Sequence, residues 1–540
     1  MPGALAFIVA MVVTMTTLPL LARLAGTLGV LDRPSGRKQH TTPIPRVGGL
    51  AMALGVIVGA LLALHLRAPD GWFLLAVGVL VAFGAWDDRV DLDYRVKFAG
   101  QLLAVAIVVL WGDARIRTIT LDDAVVLPAW LSLPLTVVFL VGITNAVNLA
   151  DGLDGLAGGT TFLSLCALAL LSSMTGTAGG PPLLLALAGA VLGFLRFNTY
   201  PASVFMGDAG SQLLGFSLGV LAIRATQTDT TLMSAAIPVL VLALPILDTL
   251  SVIVHRISEG RSPFRADKNH IHHRLLALGF AHHEAVMVVY AIQAALFIAA
   301  YLLRFESDVL ILAVVLAFFA VTLAALHLAE RTGWRLRASG SAPAQRRSPA
   351  RTAILAELTK AAIAVALGAY AALIILKTPQ PSSDIRLVVG GLLAAIVAFI
   401  AVMRAAPLGL PEKCVLFVTA AVLVYLDASG ARPDPFLWWA SWVCIGVAAL
   451  ATAIRLRLLS DRRFQVTPLD LIILFMALVV PNLPGSMWLP SIGSGAIAKL
   501  VIVLYSLEVL VSRTDRRVIW FRLGTASVLA GLTVRPLLFS

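Results

Sequence analysis

Long runs of apolar residues alternate with short polar stretches along the whole chain of 540 residues. The runs are about 16 to 25 residues long, and a helix needs about 20 apolar residues to cross the hydrocarbon core of a bilayer. We count roughly eighteen runs, which together use roughly two thirds of the chain. The pattern predicts an all-α, polytopic integral membrane protein whose polar chemistry is confined to loops and helix ends.

About eleven of these runs fall within residues 1–330, which we interpret as one polytopic core. They lie near 4–29, 48–66, 71–86, 98–111, 127–148, 157–175, 181–197, 209–225, 232–255, 285–304 and 308–328. Residues 331–351 include SGSAPAQRRSPAR, a composition that cannot bury a core and predicts a basic cytoplasmic linker. Residues 352–540 contain about seven further runs and predict an additional transmembrane module.

The composition excludes two broad classes of protein. The chain is 59% hydrophobic and 13% charged, with a mean hydropathy of +0.93, whereas soluble domains are about 25% charged. A soluble globular enzyme and a disordered chain are therefore both excluded. The three cysteines lie in apolar runs, so they predict neither a disulfide framework nor a zinc site.

The net charge is 41 − 29 = +12, and it is distributed unevenly between the loops. One set of alternate loops, with the linker, carries nineteen Lys and Arg residues, and the other set carries five. Cytoplasmic loops carry such an excess, so the first set is expected inside and the N-terminus outside. This bias explains the basic balance without nucleic acid as a partner. The first run lacks a cleavage site and is expected to be a retained span.

Acidic residues cluster at the predicted cytoplasmic end of the third span, in WDDRVDLDYRVKFAG. Asp87, Asp88 and Asp91 offer the oxygen ligands that suit a hard cation such as Mg²⁺. The alternative is a solvated interfacial loop.

A second polar cluster, NAVNLADGLDGLAGG, leaves the fifth span at the same face. Asn145, Asn148 and Asp151 are spaced by three and share one broad side of a helix, and Asp154 follows. Amides and carboxylates at the end of an apolar span are costly unless they are paired or used. The alternative is a polar helix cap with small-residue packing.

Two further acids belong to later spans. Asp208, in SVFMGDAGSQLLG, lies at a helix N-terminus, where it can be a cap or a metal ligand. Asp248, in LALPILDTLSVIVHR, lies inside the ninth span, and a buried acid there is a functional candidate. A hydrogen bond to a neighbouring helix is the alternative for Asp248.

Two predicted cytoplasmic loops are rich in cationic side chains. HRISEGRSPFRADKNHIHHRLLALGF supplies Arg261, Arg265, His270, His272 and His273, and LDRPSGRKQHTTPIPRVGGL supplies Lys38, His40 and Arg46. So many Arg and Lys residues favour phosphate binding over a zinc site. The positive-inside bias explains the charge but not the HIHH sequence.

All these clusters fall on one membrane face, whereas a transporter more often places its charges near the midplane. The segments DDRVD, NAVNLADGLDGLAGG, FMGDAGS, PILDT and PFRADKNHIHH together resemble the polyprenyl-phosphate N-acetylhexosamine-1-phosphate transferase superfamily, over about residues 1–330. HIHH with DDxxD is similar to the branch that makes polyprenyl-diphosphate-GlcNAc from UDP-GlcNAc for O-antigen, enterobacterial common antigen and teichoic acid linkage units. The peptidoglycan branch carries a longer histidine run.

The resemblance implies an enzyme of the bacterial inner membrane with an eleven-helix core, a cytoplasmic active site and Mg²⁺, or Mn²⁺, as cofactor. It implies transfer of N-acetylhexosamine 1-phosphate from a UDP-sugar to undecaprenyl phosphate, with release of UMP. The resemblance leaves open which sugar is transferred and which glycan pathway is served. It also leaves open whether the mechanism has one step or two and whether the protein is a monomer or a homodimer. The rival interpretation is a transporter or flippase of lipid-linked sugar. The module after the linker has no counterpart in the family pattern; it is either a partner-binding scaffold or a part that handles lipid-linked sugar.

The resemblance also implies roles for single residues. Asp208, with Asp88, is expected to hold the metal, and the catalytic group contains Asp87, Asp88, Asp91, Asp151 and Asp154. One of Asp87 and Asp88, which are expected beside the acceptor phosphate, would act as a base. Expected contacts to the nucleotide, sugar and phosphates come from Asn145, Asn148, Arg261, Arg265, His270, His272, His273, Lys38, His40, Arg46 and Asp248.

Overall fold

The structure of the protein is a computed structural model. It describes residues 2–33, 42–63, 66–121, 124–174, 180–227, 233–260, 269–336, 350–377, 383–402, 410–429, 435–458, 494–511 and 518–538, with residues 468, 471–472 and 475–476. The chain divides into unit 1, Met1–Ser341 with Thr467–Ile472, and unit 2, Ala342–Val466 with Ile473–Ser540. The first division falls inside the stretch whose sequence predicts a linker.

The described part of unit 1 contains thirteen helices and two short antiparallel hairpins. The helices are α1 (Pro2–Leu28), α2 (Gly48–Ala63), α3 (Ala68–Val90), α4 (Tyr94–Leu110), α5 (Ala129–Ala150), α6 (Leu156–Met174), α7 (Gly180–Asn198), α8 (Gly207–Thr226), α9 (Ile237–Val241), α10 (Ala243–Ser258), α11 (Ile271–Ala277), α12 (His282–Leu302) and α13 (Asp308–Arg331). The hairpins pair β1 (Leu31–Asp32) with β2 (Ile44–Pro45), and β3 (Thr118–Thr120) with β4 (Ala124–Val126).

Nine helices of the described residues are long and apolar enough to cross a membrane, and seven of them belong to unit 1. The prediction of an all-α polytopic membrane protein is therefore confirmed. All eleven predicted spans of the core coincide with helical structure. Two of them, α2 and α4, have only 16 and 17 residues, fewer than the about 20 that a perpendicular span needs.

The ninth predicted span, 232–255, is wrong as a single helix. Helix α9 ends at Val241 and α10 begins at Ala243. Pro245 lies in the first turn of α10, where the missing N–H group costs no hydrogen bond, whereas deep inside one continuous helix it would break one. The carbonyl of Val241 at the break accepts a hydrogen bond of 2.9 Å from Nε2 of Gln293.

Helix α8 lies at the centre of unit 1, and nearly all of its side chains are buried. Two glycines allow α2 and α3 to approach its first turn. A Cβ on Gly49 would lie 2.2 Å from the Gly210 nitrogen, and a Cβ on Gly84 would lie 2.4 Å from the Ala209 Cα, so no larger residue fits. This close packing brings the C-terminal end of α3 against the N-terminal end of α8.

The described part of unit 2 contains six helices. They are α14 (Ala350–Lys377), α15 (Ser383–Val402), α16 (Leu410–Ser429), α17 (Pro435–Leu458), α18 (Ser494–Val511) and α19 (Val518–Leu538). The remaining predicted apolar run falls in 459–493, which lies mostly outside the described residues. The core of the unit also contains buried charge: the Nζ atoms of Lys377 and Lys499 lie 2.8 and 2.6 Å from the two carboxylate oxygens of Asp427.

Candidate active site at one end of the helices

A cavity of about 650 Å³ opens at the end of unit 1 where α3, α5 and α7 finish and α2, α6, α8 and α12 begin. Its charged and polar lining includes Asp32, Arg46, Asp88, Asn148, Asp151, Asp154, Asn198, Tyr200, Asp208, Ser211, His273 and His282. The clusters that are scattered along the sequence therefore meet in one place.

Asp88 caps helix α8 from a neighbouring helix. Its Oδ1 accepts the N–H of Asp208 over 2.9 Å, and its Oδ2 accepts the N–H of Ala209 over 3.1 Å. These are N–H groups of the first turn of α8, which have no partner within the helix. Gly207 has a φ of +69°, and a Cβ there would lie 2.4 Å from the Asp88 carboxylate, so the turn needs glycine. The result is a fixed orientation of Asp208.

Asp208 is the common neighbour of the carboxylates. Its Oδ1 accepts a 2.7 Å hydrogen bond from Nδ2 of Asn148, and its charge acts on Asp87, Asp88 and Asp151. Lys97 opposes this negative charge, since its Nζ lies 2.6 Å from Oδ2 of Asp87. Oδ1 of Asp87 accepts the N–H of Leu92 over 2.7 Å. Asp87 is thus held in a buried position outside the lining, while Asp208 lines the cavity.

The loop between α5 and α6 carries Asp151 and Asp154 and is braced from two sides. Oδ2 of Asp154 accepts the Ala202 N–H over 2.9 Å, and the Gly155 N–H donates to Oδ1 of Asn198 over 2.9 Å. From the other side, the hydroxyl of Tyr290 donates to the Gly155 carbonyl over 2.5 Å. The bracing holds both carboxylates towards the cavity.

This setting raises the proton affinity of Asp151. Burial raises the pKa of Asp151 to about 7, and the negative charges of Asp208, Asp154 and Asp88 contribute to the rise. A bound cation or a neighbouring cationic group would lower that pKa again.

Arg46 supplies positive charge to the lining of the cavity. Its guanidinium forms an ion pair with Asp32, and its Nη1 lies 4.0 Å from Oδ1 of Asp88. The backbone around it is fixed, because the N–H groups of Gly48 and Gly49 donate to the carbonyls of Phe205 and Met206. Arg46 therefore stands beside Asp88 and lines the cavity, and its binding of phosphate stays a prediction.

The three histidines of HIHH have three different surroundings. Nδ1 of His270 donates to Oδ2 of Asp248 over 2.9 Å, and His273 lines the cavity. His272 is buried against Gly152, and burial, with a contribution from His273, lowers its pKa to about 3. His272 is thus a neutral packing residue, whereas His273 is the member of the run that lines the cavity.

Six expected site residues lie away from the lining: Asp87, Asp91, Asn145, Asp248, His270 and His272. Asp91 is exposed and ends α3 with a φ of 55°. Asp248 accepts the Ile271 N–H over 2.7 Å and so anchors α11, which agrees with the alternative of a structural hydrogen bond. Asn145 turns to Gln101 on α4 and not to the cavity. Four other expected residues, Lys38, His40, Arg261 and Arg265, lie outside the described residues.

Sequence reasoning missed several polar residues at the site, among them Lys97, Asn198, Tyr200 and His282. The ring of His282 stacks on that of Tyr200 with centroids 4.4 Å apart, and both line the cavity. Asn198 is 2% exposed. Each is a single polar residue at a helix end, where exposure to water is the ordinary explanation. Only Lys97, four residues before Gln101 in an apolar helix, carried a usable signal.

The donor set suits the expected Mg²⁺. The carboxylates around Asp208 repel one another unless a cation or a proton lies among them, and all their donor atoms are oxygens, which Mg²⁺ prefers. No three such side chains converge at metal-binding distance within the described parts of the chain. Mg²⁺ usually takes only one or two protein carboxylates and completes its shell with water and substrate phosphates. Asp208 and Asp88 therefore fit the ion.

Comparison with known proteins identifies the family. Residues 71–226 match the family described as Glycosyl transferase family 4. A relative from Bacillus subtilis (strain 168), the probable undecaprenyl-phosphate N-acetylglucosaminyl 1-phosphate transferase, is 38% identical over 296 residues, which are 53% of this chain and 81% of the relative.

Two further relatives agree with this result. The decaprenyl-phosphate N-acetylglucosaminephosphotransferase of Mycobacterium tuberculosis (strain ATCC 25618 / H37Rv) is 38% identical over 304 residues, covering 49% of this chain and 74% of the relative. The undecaprenyl-phosphate alpha-N-acetylglucosaminyl 1-phosphate transferase of Escherichia coli (strain K12) is 29% identical over 275 residues, with coverage of 49% and 74%. With the cavity and its carboxylates in place, the chain belongs to the family of polyprenyl-phosphate N-acetylglucosamine-1-phosphate transferases.

Proposed function

We propose that this protein transfers N-acetylhexosamine 1-phosphate, most simply GlcNAc 1-phosphate, from a UDP-sugar to a polyprenyl phosphate. An oxygen of the lipid phosphate forms a bond to the β-phosphorus of the UDP-sugar. The bond between that phosphorus and the bridging oxygen breaks, and UMP leaves with this oxygen. The products are UMP and a polyprenyl diphosphate sugar, and the number of phosphates is unchanged.

The observation that carries the proposal is the meeting of Asp88, Asp151, Asp154 and Asp208 with Arg46 and His273 in one cavity at the ends of membrane helices. A soluble diphosphate and a lipid phosphate can both reach such a place. The positive-inside bias of the loops at this end supports a site on the cytoplasmic face of a bacterial inner membrane, with the N-terminus outside.

The difficulty of this reaction is electrostatic. A phosphomonoester has its second pKa near about 6, so the acceptor is mostly dianionic at cytoplasmic pH and needs little help in losing a proton. Phosphoryl transfer is catalysed mainly by positioning and by stabilisation of charge. Arg46 and His273 would hold phosphate oxygens, Lys97 fixes Asp87, and Asn148 fixes Asp208.

Mg²⁺ belongs to the proposal through Asp208 and Asp88. When bound, the ion would neutralise part of the charge of the diphosphate. Asp151 and Asp154, on the braced loop, would contact the nucleotide. Tyr200 and His282 offer a stacked aromatic surface beside them for a planar or sugar ring.

The test is incubation of the purified protein with polyprenyl phosphate and a panel of UDP-sugars, with the lipids read by mass spectrometry. We expect a lipid diphosphate N-acetylhexosamine and stoichiometric UMP with at least one UDP-N-acetylhexosamine. EDTA should stop the reaction, and Mg²⁺ or Mn²⁺ should restore it. Absence of a new lipid with every sugar, while the protein is folded, would contradict the proposal and would be the result for a transporter or flippase.

A further inference from the structure

Three amide side chains form a hydrogen-bonded group between α4, α5 and α8. Nδ2 of Asn145 donates to Oε1 of Gln101 over 2.8 Å, and Nε2 of Gln101 lies 3.3 Å from Oδ1 of Asn145 and 3.4 Å from Oε1 of Gln212. We call Gln101, Asn145 and Gln212 the amide layer. It connects all three helices through Gln101.

Each member of the amide layer lies one helical turn from a residue of the candidate site on the same helix. The pairs are Gln101 with Lys97 on α4, Asn145 with Asn148 on α5, and Gln212 with Asp208 on α8. Residues three or four positions apart share one helix face and are separated by about 5 to 6 Å along the axis. The amide layer is therefore a second tier directly beneath the site.

Breaking the hydrogen bonds of the amide layer is energetically unfavourable, because its side chains are buried. Gln101 is 3% exposed and Gln212 is 2% exposed, so neither side chain has ready access to water. A buried amide without a hydrogen-bond partner is unfavourable, and in a membrane protein such groups pair across helices. Rotation or sliding of α4 relative to α5 or α8 would separate these partners.

Amides also suit this position because they carry no charge at any pH of interest. The site above contains several carboxylates, whose negative charges repel one another. A charged pair at the same depth would change the electrostatic potential at Asp208, whereas an amide group fixes the spacing of the helices without doing so.

We infer that the amide layer sets the relative position of α4, α5 and α8 and thereby places Lys97, Asn148 and Asp208 for transfer. Gln101, Asn145 and Gln212 are positioning residues, and Asn145 acts here in place of a direct contact with the nucleotide. The catalytic part of this inference rests on the proposed function. A displacement of about 1 Å at reacting groups can reduce the rate about 100-fold.

The test compares Gln101→Leu with Gln293→Leu, a matched control. Gln293 is also a fully buried glutamine of unit 1, but its Nε2 donates to the Val241 carbonyl over 2.9 Å and to Oγ of Ser164 over 3.0 Å. Both variants replace a buried amide by an apolar group of similar size. Only the first one removes the side-chain hydrogen bonds that join α4 to α5 and α8.

We expect both variants to lose some thermal stability, but only Gln101→Leu to lose about 100-fold in kcat, with a KM for the UDP-sugar within about threefold of wild type. Adding Gln212→Leu to Gln101→Leu should reduce kcat little further, because the contact between them is already lost. Equal kcat losses in Gln101→Leu and Gln293→Leu, or an unchanged kcat in Gln101→Leu, would overturn the inference.

A distance measurement separates this inference from the proposed function. Tyr94 on α4 and Leu149 on α5 are exposed, and spin labels attached through Tyr94→Cys and Leu149→Cys, in a background without the native cysteines, report the spacing of the two helix ends. The distance distribution should broaden or shift with Gln101→Leu and stay unchanged with Gln293→Leu. A wild-type protein without transfer activity would contradict the proposed function alone. An unchanged distribution in Gln101→Leu would contradict the amide layer.

Discussion

The imidazole of His272 lies directly on the backbone of Gly152, so close that a Cβ at Gly152 would be 2.2 Å from Nε2. Gly152→Ala must therefore displace the His272 ring or the loop that carries Asp151 and Asp154. We expect transfer activity to fall by on the order of 100-fold, because that loop lines the cavity. Activity per folded protein, measured on material from size-exclusion chromatography, checks this.

Two variants accompany that experiment. Gly142→Ala lies on α5, where an added Cβ meets nothing within 4 Å, so it should keep its activity. Gly152→Ala combined with His272→Ala removes the clash and should regain part of the lost activity. If the double variant is no better than Gly152→Ala, the contact between the two residues is not the cause of the loss.

Asp208→Asn should abolish most of the activity while the protein remains folded. The change keeps the shape of the side chain but removes the charge at the centre of the carboxylate group, and we expect a loss of at least about 100-fold. Asp113→Asn is the matched control, since Asp113 is exposed beyond the far end of α4. If Asp208→Asn turns over at nearly the wild-type rate, Asp208 has no essential part in the reaction.

Asp151→Asn should stabilise the protein in a pH-dependent way when divalent cations are removed. The folded-state pKa of Asp151 is raised to about 7, above the about 3.9 of an unfolded chain. Between these values the folded state retains a proton that the unfolded state has lost, so the wild type becomes less stable as pH rises. Asparagine does not ionise, so the variant does not lose stability in this way as pH rises. Thermal unfolding should show that the gain in stability of Asp151→Asn over the wild type grows from pH 4 to about pH 7 and is constant above it. A gain in stability that is independent of pH would contradict the raised pKa of Asp151.

Arg224→Met should reduce stability and leave the chemistry of the site intact. Nη1 of Arg224 lies 3.1 Å from Oδ1 of Asp70, its Nε donates to the Gly112 carbonyl over 2.9 Å, and both side chains of the ion pair are buried. Removing one partner of a buried pair costs about 3 to 5 kcal/mol, and we expect the lower end because Arg67 still contacts Asp70.

The control for this ion pair is Arg117→Met. Arg117 pairs with Asp113, and both side chains are more than half exposed, so the loss should be about 0 to 1 kcal/mol. The two variants can be compared by chemical denaturation in the same detergent. Equal effects would mean that burial does not distinguish the pairs.

Much of the fold and of the site could be predicted because membrane spans and their charged ends are local features of the sequence. The apolar runs predict the helices, and the spacing of Asn148, Asp151 and Asp208 at span ends predicts that they meet. The break between Val241 and Ala243 was not predicted, because the apolar run continues through it and only Pro238 and Pro245 mark it.

The roles of individual side chains were harder to predict, since spacing gives the face of a helix but not its rotation against its neighbours. Asn145 and Asn148 share one side of α5, and yet only Asn148 reaches Asp208 while Asn145 pairs with Gln101. The adjacent histidines of HIHH could not be separated into an anchor, a packing residue and a ligand-facing residue without the positions of Asp248 and Gly152.

The residues that line the cavity are synthesised in a fixed order, because a membrane protein is inserted from its N-terminus as it is made. All the lining residues that the structure describes fall between Asp32 and His282. The last wall is therefore supplied when His282 leaves the ribosome, while nearly half of the chain is still to be translated. A premature stop codon after unit 1 would leave the set of described lining residues complete, whereas a frameshift before α12 would remove a wall of the cavity. Nonsense mutations along the gene should thus separate, by position, what the site itself needs from what unit 2 contributes to the cell.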